Sequence, residues 1–410
     1  MVDRPPQEDA RVRAPTEPVA ATPAGRPARV GVRRRLAFLL AVLVPPLILR
    51  GCVLDAVSIR QTSMEPAFRE DDHLLLLRSG VDTRPVQRWD VVVLDGAVDP
   101  ELPDGVGAVL KRVAGMPGEC FSLLDGDVYA APRGAGGCAS ADLRLVRKPD
   151  ALVEGLLVPL HAGAGLAPPW TWAGLGRREE LPGGGTRLSA DARQGLAVFE
   201  QTLSDGQLGE PGEEAVLDTA LSVTVGSGDA VLELWLREGA DVFRARLAPA
   251  ALGGASLHHN LGGGVVARAP DFPGLRPGQT VLFWNVDNQV RLRLDGAPLL
   301  GFDYERNEPQ PPGAPRRNEP ALAIEGGSLE LREVRVLRDL HYSVRGVYAA
   351  GGAPAFPVPD GHLFVLGDHS NQSRDSRSIG PVPLARVLGR PLLRYAPWAR
   401  FARLGPAGLP

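Results

Sequence analysis

The sequence contains few cysteines and little net charge, and each shortage excludes a class of protein. Only Cys52, Cys120 and Cys138 occur in 410 residues, too few for a disulfide scaffold and without the spacing of a metal site. The formal net charge of -3 does not suggest a nucleic-acid partner, which would favour a basic face. We therefore expect no metal, no cofactor and no nucleic-acid partner. The residues leave open whether Cys120 and Cys138 pair, which requires a location outside the cytoplasm.

Long hydrophobic runs are also scarce. Hydrophobic residues make up 44% of the chain, an ordinary share that excludes a polytopic membrane protein. The single clear run, LAFLLAVLVPPLIL from Leu36 to Leu49, has about 14 residues and is as short as the core of a cleavable signal. No small-x-small cleavage pattern follows it, and Arg50 could snorkel to the interface while a helix continues to Val57. We therefore favour a membrane anchor over a cleaved signal.

Arginines on one side of the run predict its orientation. Arg33, Arg34 and Arg35 precede it, which places the N-terminus in the cytoplasm. Residues 1–32 are rich in Pro, Ala, Arg and Glu and predict a disordered tail. The anchor is expected at 33–57, so everything after it would lie on the outer or periplasmic side of the cell (inner) membrane.

Beyond the run, 49 glycines and 39 prolines predict short strands and many turns, hence a mainly β protein. Asp125-Gly126 between two apolar arms predicts a hairpin. Residues 131–190 are Gly, Ala and Pro rich without periodicity, and we expect loops and a linker there. The other predicted strands of this part are 73–78, 89–95, 108–115 and 362–368.

The sequence pattern changes near residue 191, and the new pattern continues to about residue 342. VRLRLDG and LELREVRV alternate apolar and polar side chains, as strands with one buried face do. The segment therefore predicts an all-β sandwich inserted into the surrounding domain. NQVRLRLDGAPL and LELREVRVLRDLHY resemble the concanavalin-like (laminin G-like) sandwiches. What such a sandwich would bind is unknown.

Ser63 and Lys111 are the candidates for chemistry. Ser63 lies in SIRQTSMEPAF just beyond the apolar run, and Pro66 favours a loop there. Lys111 lies in VLKRVAGMPGE, and on a half-buried strand it and Arg112 would face opposite sides, so that one points inward. A desolvated lysine has a lowered pKa and can take a proton from a serine hydroxyl, whereas arginine stays protonated. On its own, however, a solvated surface lysine is the commoner interpretation.

The ordered motifs resemble the bacterial type I signal peptidases. SMEP, WDVVVLD, KRVAGMPGE and VPDGHLFVLGDHSNQSRDSR follow one another after an N-terminal apolar run. The resemblance covers roughly 33–130 and 356–400. It implies a catalytic domain of two parts, 58–190 (with the linker) and 343–410, separated by the sandwich at 191–342. Its substrates would be signal-peptide-bearing preproteins, cleaved at the surface of membrane lipid.

The resemblance also implies a role for individual residues. Ser63 would be the nucleophile, its N–H part of the oxyanion hole, and Lys111 the general base with Arg112 beside it. Ser373 would orient the base by a hydrogen bond. Support would come from Asp368, at the start of the last motif, and from an ion pair between Asp375 and Arg377.

Three positions depart from the family pattern. Gln61 replaces the Ser or Gly found two residues before the nucleophile, and its amide is only a possible second oxyanion donor. Trp89 replaces a glycine, and His369 replaces an asparagine.

Other functions fit the residues less well. A self-cleaving Ser/Lys repressor would be cytosolic and would carry a DNA-binding region. A hydrolase built on Asp368, His369 and Ser370 would need three sequence neighbours to converge, and the chain has no G-x-S-x-G motif. A membrane-tethered binding protein with an inactive peptidase core, whose sandwich recognises glycan or protein, stays an alternative.

Overall fold

The chain forms two units in the computed structural model, Met1–Cys52 and Val53–Pro410. The structure describes residues 34, 35, 37–39, 41, 42 and 53–410, without 103–105, 175, 191–194, 208–211, 261–263, 306–317 and 350–354. Strands dominate the second unit and are numbered β1 to β27 in chain order. The fold is mainly β, as the sequence predicts.

In the first unit, the described residues 34, 35, 37–39, 41 and 42 are helical. None of the helices that the described residues form combines the length and the apolar character needed to cross a bilayer. The predicted tail at 1–32 lies outside the described residues, as does most of the predicted anchor.

The far end of the predicted anchor differs from expectation. Leu54–Ser58 is strand β1, and all five of its residues pair with β2, His73–Arg78. A helix that continues to Val57 is therefore wrong, because cross-strand hydrogen bonds to β2 satisfy the backbone groups of this segment.

Sheet A has the order β1-β2-β26-β3-β4-β24-β25, with β27 on β26. Its central strands β3 and β4 are buried on both faces, because alternate side chains enter two different hydrophobic clusters. Val91 and Leu110 belong to one cluster and Val92 and Val109 to the other. The remaining strands of sheet A are β3 Val91–Asp95, β4 Ala108–Gly115, β24 His362–Leu366, β25 Val382–Pro383, β26 Val387–Ala396 and β27 Ala402–Arg403.

Sheet B has the order β23-β5-β6-β7 and contains the predicted hairpin. Asp125 and Gly126 join β5 to β6 with φ values of 54° and 97°, the left-handed conformation that a two-residue hairpin turn requires. A disulfide links Cys120 to Cys138, which answers the question that the sequence left open. The strands are β5 Glu119–Leu124, β6 Asp127–Pro132, β7 Arg144–Leu145 and β23 Phe356–Pro357.

Two further sheets pack face to face as a sandwich. Sheet C has the order β10-β11-β22-β13-β18-β19-β20 with β8 on β22, and sheet D has the order β17-β16-β15-β14-β21-β12-β9. Their inner faces share one large core, to which Leu221 of β13 and Leu234 of β14 contribute. The strands of sheet C are β8 Val158–Ala164, β10 Arg177–Glu180, β11 Thr186–Ala190, β13 Thr219–Gly228, β18 Thr280–Val286, β19 Gln289–Leu294, β20 Ala297–Asp303 and β22 Gly327–Arg338. The strands of sheet D are β9 Trp170–Gly174, β12 Gly195–Phe199, β14 Val231–Glu238, β15 Asp241–Leu247, β16 Ala255–His259, β17 Val265–Ala269 and β21 Ala321–Glu325.

The expectation of loops and a linker at 131–190 is wrong for much of that segment. It contains helix α1, Asp150–Leu156, and strands β8 to β11. β8 and β11 pair with the long strand β22, and β9 pairs with β12. The strands of the sandwich thus begin at Val158, well before residue 191. Local sequence could not reveal this, because these short strands depend on distant partners for their hydrogen bonds.

Candidate active site

Ser63 lies on a tight turn that the hydrophobic core holds in place. Met64 and Phe68, which flank the turn, are 1% and 0% exposed, and the Phe68 N–H donates to the Met64 carbonyl at 2.9 Å. The Ser63 carbonyl accepts a hydrogen bond from the His369 N–H at 3.1 Å. The Ser63 N–H donates none among the described residues. This turn therefore presents a hydroxyl and an uncommitted backbone donor side by side.

Lys111 lies in the middle of β4, opposite Val92 of β3. Its side chain is buried, with 3% of the residue exposed, and Nζ lies 3.0 Å from Ser63 Oγ. No ion pair to Lys111 forms within the described part of the chain. Burial lowers its pKa to about 8, although Asp375, Asp368 and Asp99 act against this effect and Arg377 adds to it. The hydroxyl and the amine are thus in contact, with the amine poised to lose its proton near neutral pH.

Arg112 is buried as well, which corrects the expectation that only one of the two side chains points inward. It is 0% exposed and holds Asp368 with two hydrogen bonds, Nε to Oδ1 at 2.7 Å and Nη2 to Oδ2 at 2.6 Å. Its Nη1 donates to the carbonyls of Trp89 and Ala407 at 2.9 and 2.8 Å. Because clusters cover both faces of β4, alternation directs each cation into a different interior region. Arg112 is paired with Asp368 there, whereas Lys111 forms no ion pair with any residue that the structure describes.

Asp375 and Arg377 form the expected ion pair at helix α2, Ser376–Ile379. Arg377 Nη2 lies 2.7 Å from Asp375 Oδ2, and both side chains are almost fully buried. The same Oδ2 accepts from the Gly367 N–H at 3.0 Å. This pair ties the polar loop after β24 to the end of that strand.

Ser373 differs from the expectation that the resemblance gives it. Its buried Oγ has no hydrogen-bond partner among the described residues, so the implied bond to Lys111 is not formed. A Cβ on Gly367 would lie 2.1 Å from this Oγ, so the hydroxyl occupies the space that a side chain would take at Gly367. Lys111 instead directs its amine to Ser63.

A cleft of about 360 Å³ opens beside the two side chains. Gln61 lines it together with Ser63 and Lys111, and the Gln61 amide makes no hydrogen bond with any other described residue. Apolar side chains form much of the remaining wall: Leu94, Val98, Leu102, Val109 and Ile379. The cleft can therefore accept small or apolar groups beside the two side chains.

Trp89 and His369, the other two departures, have defined places. Trp89 has φ 72°, a conformation that glycine adopts without strain, which explains why glycine suits this position. Its carbonyl accepts from Arg112. His369 contacts the turn through its backbone N–H to Ser63. Both positions touch the site through main-chain atoms, so these side-chain changes leave those contacts in place.

Sequence reasoning missed an ion pair at the edge of the cleft. Arg374 Nε donates to Asp99 Oδ2 at 2.9 Å, and Arg374 Nη1 lies 2.9 Å from Glu101 Oε2. All three residues line the cleft. Arg374 and Asp99 are 275 positions apart, and no local pattern in the sequence joins them.

One acidic cluster lies elsewhere. Oxygens of Asp127, Asp218 and Asp287 lie within 4.8 Å of one another. Lys148 Nζ lies 2.8 Å from both Asp287 Oδ1 and Asp339 Oδ2. Burial raises the pKa of Asp127 and of Asp218 well above the usual range. A buried ammonium group and protonated carboxyl groups can thus balance the charge of this cluster.

Comparison with known proteins gives one family and several partial relatives. The family model for signal peptidase, peptidase S26, matches residues 32–136 and 277–398, more than half of the chain. The mitochondrial ATP-independent inner membrane protease subunit 1b of Arabidopsis thaliana is 53% identical over 49 residues, which are 12% of this chain and 29% of that protein. The probable signal peptidase I-1 of Synechocystis is 44% identical over 52 residues, 13% and 26% of the two chains. The matched stretches thus span less than a third of these relatives.

Comparison with solved structures gives matches of low sequence identity. A Bacillus subtilis protein with a galectin-like fold is 10% identical with a TM-score of 0.33, over 44% of this chain and 96% of that one. A Bacillus licheniformis beta-glucanase is also 10% identical, with a TM-score of 0.30 over 43% and 96%.

Proposed function

Since the chain belongs to the signal peptidase family, peptidase S26, we propose that it is a membrane-bound serine endopeptidase that removes N-terminal signal peptides from exported preproteins. Ser63 is the nucleophile and Lys111 the general base. The observation that carries this proposal is the 3.0 Å contact between Lys111 Nζ and Ser63 Oγ inside a buried site.

The two side chains suffice for both halves of the reaction. Ser63 Oγ attacks the scissile carbonyl carbon while its proton passes to Lys111 Nζ. The new oxyanion accepts a hydrogen bond from the Ser63 N–H and, if its amide turns inward, from Gln61. Collapse of the intermediate breaks the C–N bond, and Lys111 returns the proton to the leaving amine. A water that loses a proton to Lys111 then attacks the ester carbon, the bond from that carbon to Ser63 Oγ breaks, and Lys111 gives the proton to Oγ.

The lowered pKa of Lys111 is what makes this base usable. With a pKa of about 8, roughly a tenth of the amine is neutral at pH 7, against well under a thousandth for an ordinary lysine. Arg112, Asp368, Asp375 and Arg377 support the site by fixing β4 and the polar loop. Ser373 lies on the same polar loop, and its buried Oγ has no hydrogen-bond partner among the described residues.

A location outside the cytoplasm fits this function. The Cys120–Cys138 disulfide favours an oxidising compartment. Relatives named for the mitochondrial inner membrane support a membrane setting. The catalytic part would then cleave preproteins whose apolar signal still lies in the bilayer, with the chain anchored through its N-terminal apolar run.

The test is cleavage of a signal-peptide-bearing preprotein by the full chain in detergent micelles. Ser63→Ala and Lys111→Met should each lower the rate by at least about 10³-fold, because each removes a group that acts in every step. Ser378→Ala, at an exposed serine of α2, is the matched control and should cleave like the parent.

Two outcomes would contradict the proposal. Normal cleavage by both variants would remove the catalytic roles of these residues. A folded parent that cleaves no preprotein would exclude the peptidase function and favour a binding protein with an inactive core.

A further inference from the structure

The inserted sandwich touches the loop that carries Ser373 and Asp375. Asp205, between strands β12 and β13, accepts a hydrogen bond from Asn371 Nδ2 at its Oδ2, at 2.6 Å. The two residues are 166 positions apart. Asn371 lies in the short 3₁₀ turn Ser370–Gln372, directly before Ser373. A side chain of the sandwich is therefore hydrogen-bonded to the polar loop of the candidate site.

Asp205 is itself held rigidly within the sandwich. It is 5% exposed, and its Oδ1 accepts the N–H groups of Glu213 and Glu214 at 2.7 and 2.9 Å. Its carbonyl accepts from Arg338 Nη2 at 2.8 Å, at the end of β22. Burial by itself raises the pKa of Asp205, but the hydrogen bonds from Asn371, Glu214 and Glu213 outweigh it and the pKa is lowered. Asp205 thus presents an ionised, fixed acceptor.

The same 3₁₀ turn also contacts the residue that precedes the proposed nucleophile. Gln372 Oε1 accepts a hydrogen bond from Thr62 Oγ1 at 2.7 Å, and Thr62 directly precedes Ser63. Asn371 and Gln372 are adjacent, so the turn forms a continuous bridge from Asp205 to the serine turn. Contiguous hydrogen bonds of this kind can transmit position from one element to the next.

We propose that Asp205 is a positioning residue for the candidate active site, so that the inserted sandwich is a working part of the peptidase. The expected loss of preprotein cleavage rests on the proposed function. The expected loosening of the turn at 370–372 does not. Asp205 touches neither Ser63 nor Lys111. It acts by fixing the turn at 370–372, which in turn holds Thr62 and the segment that leads to Ser373.

Asp205→Ala is the first variant. It leaves the Asn371 amide without its acceptor, and we expect kcat for preprotein cleavage to fall about tenfold or more with little change in KM, because small displacements of reacting groups are costly. Asn371→Asp places a second carboxylate opposite Asp205 and should lower kcat at least as much. The exchange Asp205→Asn with Asn371→Asp restores a donor and an acceptor and should recover most of the loss.

Asp295→Ala is the matched control. Asp295 is also a carboxylate of the sandwich that accepts from an amide side chain, Gln279 Nε2 at 2.9 Å, and from a backbone N–H, Thr280 at 2.8 Å. Both of these partners, Gln279 and Thr280, lie in the sandwich. Cleavage by this variant should equal that of the parent.

Hydrogen exchange in the full chain provides a readout that needs no activity. Amides of 366–379 should exchange faster in Asp205→Ala than in the parent, and the core of the sandwich should not. Thr62→Val breaks the other end of the bridge. Combined with Asp205→Ala it should lower kcat by less than the product of the two separate effects, since both act through one turn.

The outcomes separate this inference from the proposed function. Unchanged exchange at 366–379 in Asp205→Ala overturns the inference, as does an equal loss of cleavage in Asp295→Ala. If the parent cleaves nothing while exchange in this loop still rises in Asp205→Ala, the proposed function fails and the structural bridge stands.

Discussion

Sheet A and the sandwich bury their strands in different ways. In the sandwich, β14 alternates Leu232, Leu234 and Leu236 into one core while Trp235 and Arg237 face away. In sheet A, β3 and β4 send alternate side chains into two separate clusters. A period of two therefore reveals the inward face only where one side of a sheet meets solvent. Where both sides are covered, even Lys111 and Arg112 are both interior.

The largest expected effect concerns the paired cation of sheet A. Arg112→Met leaves the Asp368 carboxylate buried without a partner, which should lower the free energy of unfolding by about 3–5 kcal/mol. Chemical denaturation of the full chain measures it. The double variant Arg112→Met with Asp368→Leu removes both charges and should be more stable than the single variant. If the single variant is as stable as the parent, the buried pair does not support sheet A.

A smaller effect is expected in the sandwich. Leu234 is 0% exposed in the shared core of sheets C and D. Leu234→Ala removes packed methyl groups and leaves a cavity, so the free energy of unfolding should fall by about 3 kcal/mol. Variant protein that is still folded should cleave preprotein at the parent rate, because Asp205 keeps its contacts.

One result would contradict this difference between the two regions. If folded Leu234→Ala protein cleaves preprotein more slowly than the parent, the packing of the sandwich core, and not Asp205, positions the loop. Leu388→Ala, at an exposed leucine of β26, is the control and should change neither quantity measurably.

The smallest expected effect is a shift in the pH dependence of cleavage. Below its pKa of about 8, Lys111 is protonated, so kcat/KM should rise about tenfold per pH unit and level off above that value. The Asp99 carboxylate raises the pKa of Lys111. Asp99→Asn should therefore move the midpoint of the profile to lower pH, by less than one unit.

Arg386→Gln is the control for that shift. Arg386 pairs with Asp95 at 2.8 Å on the surface and does not line the cleft. The midpoint of the pH profile of Arg386→Gln should therefore match that of the parent. A midpoint that moves to higher pH in Asp99→Asn, or a flat profile between pH 6 and 9, would contradict the assignment of Lys111 as base.

Much of sheet A could be predicted from local sequence. The predicted strands 73–78 and 108–115 are strands β2 and β4 of the structure, and in sheet B the Asp125-Gly126 turn forms as its residue types predict. Strands β8 to β11 could not be found, since their hydrogen-bond partners lie far along the chain. The disulfide was undecided for a related reason: its formation depends on the approach of two segments.

In the candidate site, too, local motifs could be predicted from the sequence and contacts between distant segments could not. The ordered motifs identify Ser63, Lys111, Asp375 and Arg377 as candidates, because their spacing within each motif is local. They do not reveal that Arg112 pairs with Asp368, that Arg374 pairs with Asp99, or that Ser373 Oγ has no hydrogen-bond partner in the part of the chain that the structure describes. Side-chain partners of this kind are chosen by packing and not by neighbours in sequence.

The sequence by itself determined a mainly β chain, its hairpin, its inserted sandwich and the residues that could perform Ser/Lys chemistry. Only the tertiary structure decided that Lys111 is buried, forms no ion pair with a described residue and lies 3.0 Å from Ser63 Oγ, and that a sandwich residue reaches the loop beside them. The physical reason is that turns and strand patterns arise from neighbouring residues. A pKa, by contrast, is determined by the charges and the burial that distant segments bring to one place.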